Sequence, residues 1–218
     1  MGEELLSTGA RVVVLRSEGP SFSAGLDRRM LDPEGVPGEV TFPQLAALTG
    51  DDLDETIATY QQGFSWWRDP RIVSVAAVQG HAVGAGFQLA LACDLRILAA
   101  DALLSMRETS LGLVPDLGGT KPLVDLVGYP RALEICATGR NLDASEAARI
   151  GLAELVVPPG ELDAVARDLA AAVLAAPADA VRETKALLQG AGGRSYDEQR
   201  GAERAAQGRR LRALAGLG

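Results

Sequence analysis

Ile72-Val73-Ser74-Val75-Ala76-Ala77-Val78, followed by Gly80-His81-Ala82-Val83-Gly84-Ala85-Gly86-Phe87-Gln88, decides how this chain reads. The first run is almost wholly apolar and β-branched, the composition of a strand covered on both faces. The run that begins at Phe87 (Phe-Gln-Leu-Ala-Leu-Ala-Cys93) is rich in helix formers. Glycines between a strand and a helix let the backbone turn sharply and bring bare N–H groups to a surface. A helix N-terminus adds unpaired donors and a partial positive charge. Such a place holds negative charge, either on a bound anion or on an oxyanion formed during a reaction.

A dinucleotide fingerprint would need G-x-G-x-x-G, and Leu89 stands where its third glycine belongs. A P-loop would need a terminal Gly-Lys-Ser/Thr that is absent here. The bland reading is a tight turn of small residues for helix–sheet packing. A second element favours the oxyanion reading. Val12-Val13-Val14-Leu15 is another short buried-strand run, and it leads into Ser21-Phe22-Ser23-Ala24-Gly25-Leu26-Asp27 and a helical start. Two such turns on neighbouring strands can aim two backbone N–H groups at one oxygen.

Phe22-Ser23-Ala24-Gly25-Leu26-Asp27 after that strand, the Gly80–Arg96 block, and Arg107-Glu-Thr-Ser-Leu-Gly-Leu-Val-Pro-Asp-Leu-Gly-Gly-Thr120 together resemble the crotonase (enoyl-CoA hydratase/isomerase) superfamily. The blocks stand in that family's order from about Arg11 to about Leu188. The resemblance implies an α/β spiral of β-β-α units, with a core over residues 1–140 and a mostly helical, trimerising region over 141–218. It implies an acyl-CoA thioester as substrate, with coenzyme A part of that substrate and no separate cofactor or metal. It makes the N–H groups of Leu26 and Ala85 the oxyanion donors, with Ala24, Gly25, Gly84 and Gly86 against the substrate. A homotrimer or dimer of trimers is the implied assembly.

Family hydratases carry two glutamates, and at those positions this chain has Gln88 and Glu108. An amide accepts no proton near neutral pH, so Gln88 orients but does not act as a base. Double-bond isomerisation through Glu108 alone is therefore the favoured expectation. Hydration by Glu108 with Asp116 is the rival, and a non-catalytic acyl-CoA binder is the alternative from another class. Asp116 reads equally as a group near the substrate or as an N-cap for a helix through Pro122 to Val127. Glu108 has its own bland reading, a surface carboxylate paired with Arg107.

The rest of the chain bounds the setting. It has 218 residues, 47% of them hydrophobic, enough for one sizeable core, and its net charge of −8 argues against nucleic acid and anionic membranes as partners. CoA phosphates would then need a local basic patch, for which Arg28, Arg29 and the Arg-rich C-terminal segment are the candidates. His81 is the single histidine and reads as a packing or loop residue. Cys93 and Cys136 lack the neighbours of a zinc site or disulfide framework and read as buried thiols in a reducing cytoplasm. No apolar run approaches the ~20 residues of a membrane span, and the opening residues show no signal-peptide pattern. The family usually places more chain ahead of the Val12 strand, so either this chain begins late or its CoA binding is weakened.

Residues 32–50, with three prolines and three glycines, read as a flexible loop over the pocket. Asp51 to Arg68 reads as an amphipathic helix whose stripe of Leu53, Ile57, Tyr60, Phe64 and Trp67 is assigned to the core. No internal repeat is evident.

Overall fold

The structure, a computed structural model, describes residues 2–217. A short helix α1 (Gly2–Ser7) precedes strand β1 (Val12–Leu15), and a 3-10 turn at Arg28–Leu31 leads to α2 (Phe42–Ala46) and α3 (Gly50–Ser65). Then come β2 (Val73–Val78), β3 (His81–Val83) and α4 (Ala85–Ala92), followed by β4 (Leu95–Ala99), β5 (Leu103–Ser105), α5 (Thr120–Val127) and α6 (Tyr129–Thr138). The chain closes with β6 (Leu142–Asp143), α7 (Ala144–Arg149), β7 (Leu155–Val157), α8 (Leu162–Ala175), α9 (Ala178–Ala191) and α10 (Tyr196–Leu214).

The strands form two sheets. One is parallel with order β1-β2-β4-β7, and the other has order β3-β5-β6 with β3 and β5 parallel. Each β-β-α unit gives one strand to each sheet, as β2-β3-α4 and β4-β5 with α5 show. The first turn follows the same plan, because after β1 the chain makes a parallel bridge from Ser23 to Ala82 of β3. The unit therefore repeats in space although its sequence does not. The stretch after residue 140 contributes the last strand of each sheet.

The apolar β2 run is covered on both faces. Ala76 and Val78 pack into the larger core with Phe87, Leu91, Leu98, Leu104, Met106, Leu123 and Ile135. Val75 and Ala77 face the other way, onto Ile97, Ala99 and the α8 residues Leu162 and Ala166. This two-sided burial is why the strand carries no period-2 alternation.

The helical C-terminal region is tied to the start of β2 by a buried ion pair. Lys185 Nζ of α9 donates to Asp94 Oδ2 at 2.7 Å, to the Ile72 carbonyl at 2.7 Å and to the Asp69 carbonyl at 2.8 Å. Asp94 in turn accepts from the Ser74 N–H at 2.9 Å. Replacing Lys185 with Met keeps the apolar stem but leaves the Asp94 carboxylate without its counter-charge and removes the ammonium from two carbonyls. The expected cost is about 3–5 kcal/mol, read as a lower denaturation midpoint in urea.

Two local expectations change. Residues 32–50 are not all loop, because Thr41 caps α2 with a reciprocal pair in which its hydroxyl accepts from Gln44 N–H and the Gln44 side chain accepts from Thr41 N–H. His81 begins strand β3 and is exposed rather than packed. Cys93 is buried and Cys136 half-buried, both free.

Candidate active site

The bridge at Ser23 brings the two glycine turns against each other. Ser23 N–H donates to the His81 carbonyl at 2.9 Å, and Val83 N–H donates to the Ser23 carbonyl at 3.0 Å. The next residue but one is Gly25, at φ +81°, and a Cβ there would lie 2.4 Å from the Val83 carbonyl oxygen and 3.7 Å from the Ala85 nitrogen. Only glycine allows so close a pass. Gly84 N–H is taken by the Ser105 carbonyl at 2.8 Å. The N–H groups of Leu26 and Ala85 donate no hydrogen bond among the described residues. Ala85 opens α4, where the first N–H groups have no partner inside the helix.

Leu26 and Ala85 line one cavity of about 1270 Å³, and Ala24, Gly25, Gly84, Gln88, Glu108 and Asp116 line it too. Glu108 opens a 3-10 turn just beyond β5 and is 8% exposed. Its Oε1 accepts from Gln88 Nε2 at 2.7 Å, while Oε2 is buried with no hydrogen-bond partner among the described residues. An added Cβ on Gly84, at φ +53°, would sit 3.3 Å from Glu108 Oε1, so the carboxylate lies against the glycine turn itself. Burial pushes the Glu108 carboxyl above the usual carboxylate range; its own backbone N–H and the Gln88 hydrogen bond oppose this, and the Asp116 charge adds to it. A buried carboxylate oxygen without a protein partner among the described residues, on a residue that lines the cavity, is available to whatever occupies it.

Gln88 is fixed by its other end. Its Oε1 accepts from Leu117 N–H at 2.9 Å and Gly119 N–H at 3.3 Å, which orients the amide and aims its NH2 at Glu108. Gly119 is needed there, since a Cβ would approach Gln88 Cγ to 2.7 Å. Asp116 is half-buried at the cavity wall, and its carbonyl accepts from Gln61 of α3 at 2.6 Å. It is not a helix cap: α5 starts at Thr120 with Gly119 before it and no capping side chain. Nor does Glu108 pair with Arg107, whose exposed guanidinium reaches Asn141 at 3.3 Å.

Over residues 6–211 the sequence matches the enoyl-CoA hydratase/isomerase family. The chain belongs to that family. Among solved structures similar to this family member are those of a Thermobifida fusca protein assigned as an enoyl-CoA hydratase. Its complex with CoA is 51% identical with a TM-score of 0.89, covering 99% of this chain and 84% of that one. Its complex with acetoacetyl-CoA is 53% identical at a TM-score of 0.88, covering 97% and 84%. An assigned enoyl-CoA hydratase/isomerase of Bacillus subtilis, YngF, is 37% identical over 183 residues, which is 82% of this chain and 64% of that relative. The chain thus spans less than two thirds of that relative's length. The α/β fold with parallel sheets and C-terminal helices is the one seen in enoyl-CoA hydratase structures.

Against this family frame, two sequence expectations need correction. Gly86 does not line the cavity; it is buried, and a Cβ there would meet Ser23 Cβ at 2.6 Å, so its smallness lets α4 pack on the Ser23 segment. The α3 stripe is core only at its end: no residue of α3 is fully buried, and Leu53, Ile57, Tyr60 and Phe64 line the cavity, while Phe64 also packs against the core and Trp67, just past α3, is buried in it. Phe42 and Leu45 of α2 line it as well and were hidden in the expected loop. Of the basic candidates, Arg28 borders the cavity, whereas Arg29 is bound to Asp27 at 2.5 Å. Among the described residues, no helix is long and apolar enough to cross a membrane.

Proposed function

We propose that this chain is an acyl-CoA enzyme that moves a proton at C2 of an enoyl thioester and shifts its double bond. In this reading the thioester oxygen accepts from the Leu26 and Ala85 N–H groups, which stabilise the enolate as charge builds. Glu108, as carboxylate, takes the C2 proton of a 3-enoyl thioester through Oε2 and returns it at C4, leaving the 2-enoyl product. The observation that carries the reading is the buried Glu108 carboxylate, with one oxygen tethered to Gln88 and the other without a partner among the described residues. Gln88 acts as a positioning residue, holding Glu108 without competing for its proton. Coenzyme A arrives as part of the substrate. Assembly through the C-terminal helices as a homotrimer or dimer of trimers, a core over residues 1–140 with a helical region over 141–218, and a cytoplasmic site of action belong to the same proposal.

Hydration is the second reading, favoured by the position of Asp116 on the same cavity and by its charge acting on Glu108. Incubation with 3-enoyl- and 2-enoyl-CoA, followed by absorbance and product mass, separates the two. Conversion of the 3-enoyl ester without mass gain supports isomerisation. Water addition to the 2-enoyl ester as the main reaction overturns it, and tight binding with no turnover leaves only a binder.

Gln88→Glu supplies a sharper comparison. A glutamate there could still accept from Leu117 and Gly119, but it would place a second carboxylate at hydrogen-bond distance from Glu108, and the pair would share one proton. The ratio of water addition to double-bond shift is expected to rise, by on the order of 10² if the new group acts as a general base. Asp116→Asn in the native background is expected to change turnover less than Glu108→Gln does, both measured with the 3-enoyl ester.

A further inference from the structure

The long apolar arm of the cavity carries an inference about the acyl group, resting on the acyl-CoA reading above. At about 1270 Å³ the cavity exceeds the roughly 300–1,000 Å³ of ordinary small-molecule pockets. One wall is the α3 stripe Leu53, Ile57, Tyr60 and Phe64. At 1.5 Å rise per residue the stripe runs about 16 Å along the helix axis. Its Phe64 end packs against the main core and α3 packs against α4, the helix that carries Ala85 and Gln88. Its Leu53 end lies about 16 Å along the axis from Phe64. Phe42 and Leu45 of α2 complete this arm, so its walls hold a single polar side-chain atom, the Tyr60 hydroxyl.

Beyond Phe64, the apolar stripe of this sixteen-residue helix, which has no fully buried residue, is not packed into either core cluster. Left to water, the stripe would be an exposed apolar patch of the kind that soluble proteins keep small unless it binds. Its continuity with Glu108 and Ala85 ties its occupant to the reacting group. The charged groups of the cavity, Arg28, Glu39, Arg107, Glu108 and Asp116, lie outside this α2–α3 wall.

We infer that this chain takes thioesters of long, uncharged acyl groups, with the tail laid along α3 from Phe64 towards Leu53 and Leu45. A butyryl-sized group would leave most of that wall bare, and an acyl group ending in a carboxylate would lose its solvation there for no partner.

The test is a series of dissociation constants for butyryl-, octanoyl- and dodecanoyl-CoA with the full chain, measured by calorimetry. Affinity is expected to rise through dodecanoyl-CoA, at up to about fourfold for each methylene placed against the wall. Affinity that levels off at the butyryl ester overturns the inference, whatever turnover is seen. In Ile57→Trp the ratio of dodecanoyl to butyryl affinity is expected to fall at least tenfold, and circular dichroism checks that the variant folds. A folded variant with the ratio unchanged overturns the assignment of the wall. Rising affinity without any turnover of the 3-enoyl esters leaves this inference standing and removes the proton-transfer reading instead. Absence of binding by every ester removes both.

Discussion

Glu108→Gln is expected to lower turnover of a 3-enoyl-CoA by about 10²–10⁴, the range for losing a positioned general acid–base group. The amide keeps the shape of the carboxyl and can still accept from Gln88, so binding is expected to change little and the loss to fall on kcat. Stability should not fall with it. Burial raises the Glu108 pKa in the fold, so the stability linked to this group is complete below the usual glutamate range and is lost as pH rises through the raised value. The variant removes that dependence, and its thermal midpoint at neutral pH is expected to hold or rise. Activity has the opposite sign. The reaction begins with the carboxylate, so kcat/KM of the native chain should fall on the acid side with a midpoint above the usual glutamate range. Steady-state kinetics across pH, with calorimetric melting of both proteins, checks all of these outcomes.

Gly25→Ala is expected to cost on the order of 10²–10³ in turnover, the value of one oxyanion donor. Glycine here is at φ +81°, where a side chain is strained, and a Cβ would lie 2.4 Å from the Val83 carbonyl. Both chains at that contact are backbone, so neither side can swing away. The Ser21–Leu26 segment must move off β3, and the Leu26 N–H moves with it. Strain alone accounts for about 1–2 kcal/mol, so a control is needed. Gly128, between α5 and α6, is at φ +75° with nothing within 4 Å of an added Cβ. Gly128→Ala should therefore lose stability and keep turnover, and Gly25→Ala should lose both. Equal turnover in the two variants would remove Leu26 from the donor pair.

Which parts of this were legible in the sequence follows from the range of the interactions involved. β2 and α4 read correctly because their signals are local: an unbroken β-branched run, then glycines, then helix formers. β3 escaped because three residues, His81–Val83, lie between glycines and show no period of their own. The cap of α2 was written as Thr41-Phe-Pro-Gln44, but the surrounding prolines and glycines outweighed it. The α3 stripe read correctly as a helix, and as core only at its Phe64–Trp67 end. An apolar face looks the same whether it meets side chains or a cavity, and only the tertiary arrangement tells them apart.

The site divides in the same way. Family motifs placed Leu26, Ala85, Gln88, Glu108 and Asp116, and all five line one cavity. The wiring between them was invisible, because Gln88 reaches Glu108 across 20 positions and Leu117 across 29. No periodicity joins such residues. The folding of the Leu113–Gly119 segment over α4 does so, and with it the amide that faces Glu108.

Deuterium exchange at C2 tests the central claim most directly. A saturated acyl-CoA, which can neither isomerise nor add water, is incubated with the protein in D2O and its C2 position is followed by proton NMR and mass. The account predicts enzyme-dependent deuterium uptake at C2 that falls by about 10²–10⁴ in Glu108→Gln. Uptake undiminished in that variant, or none with the native protein when the ester is bound, would contradict it.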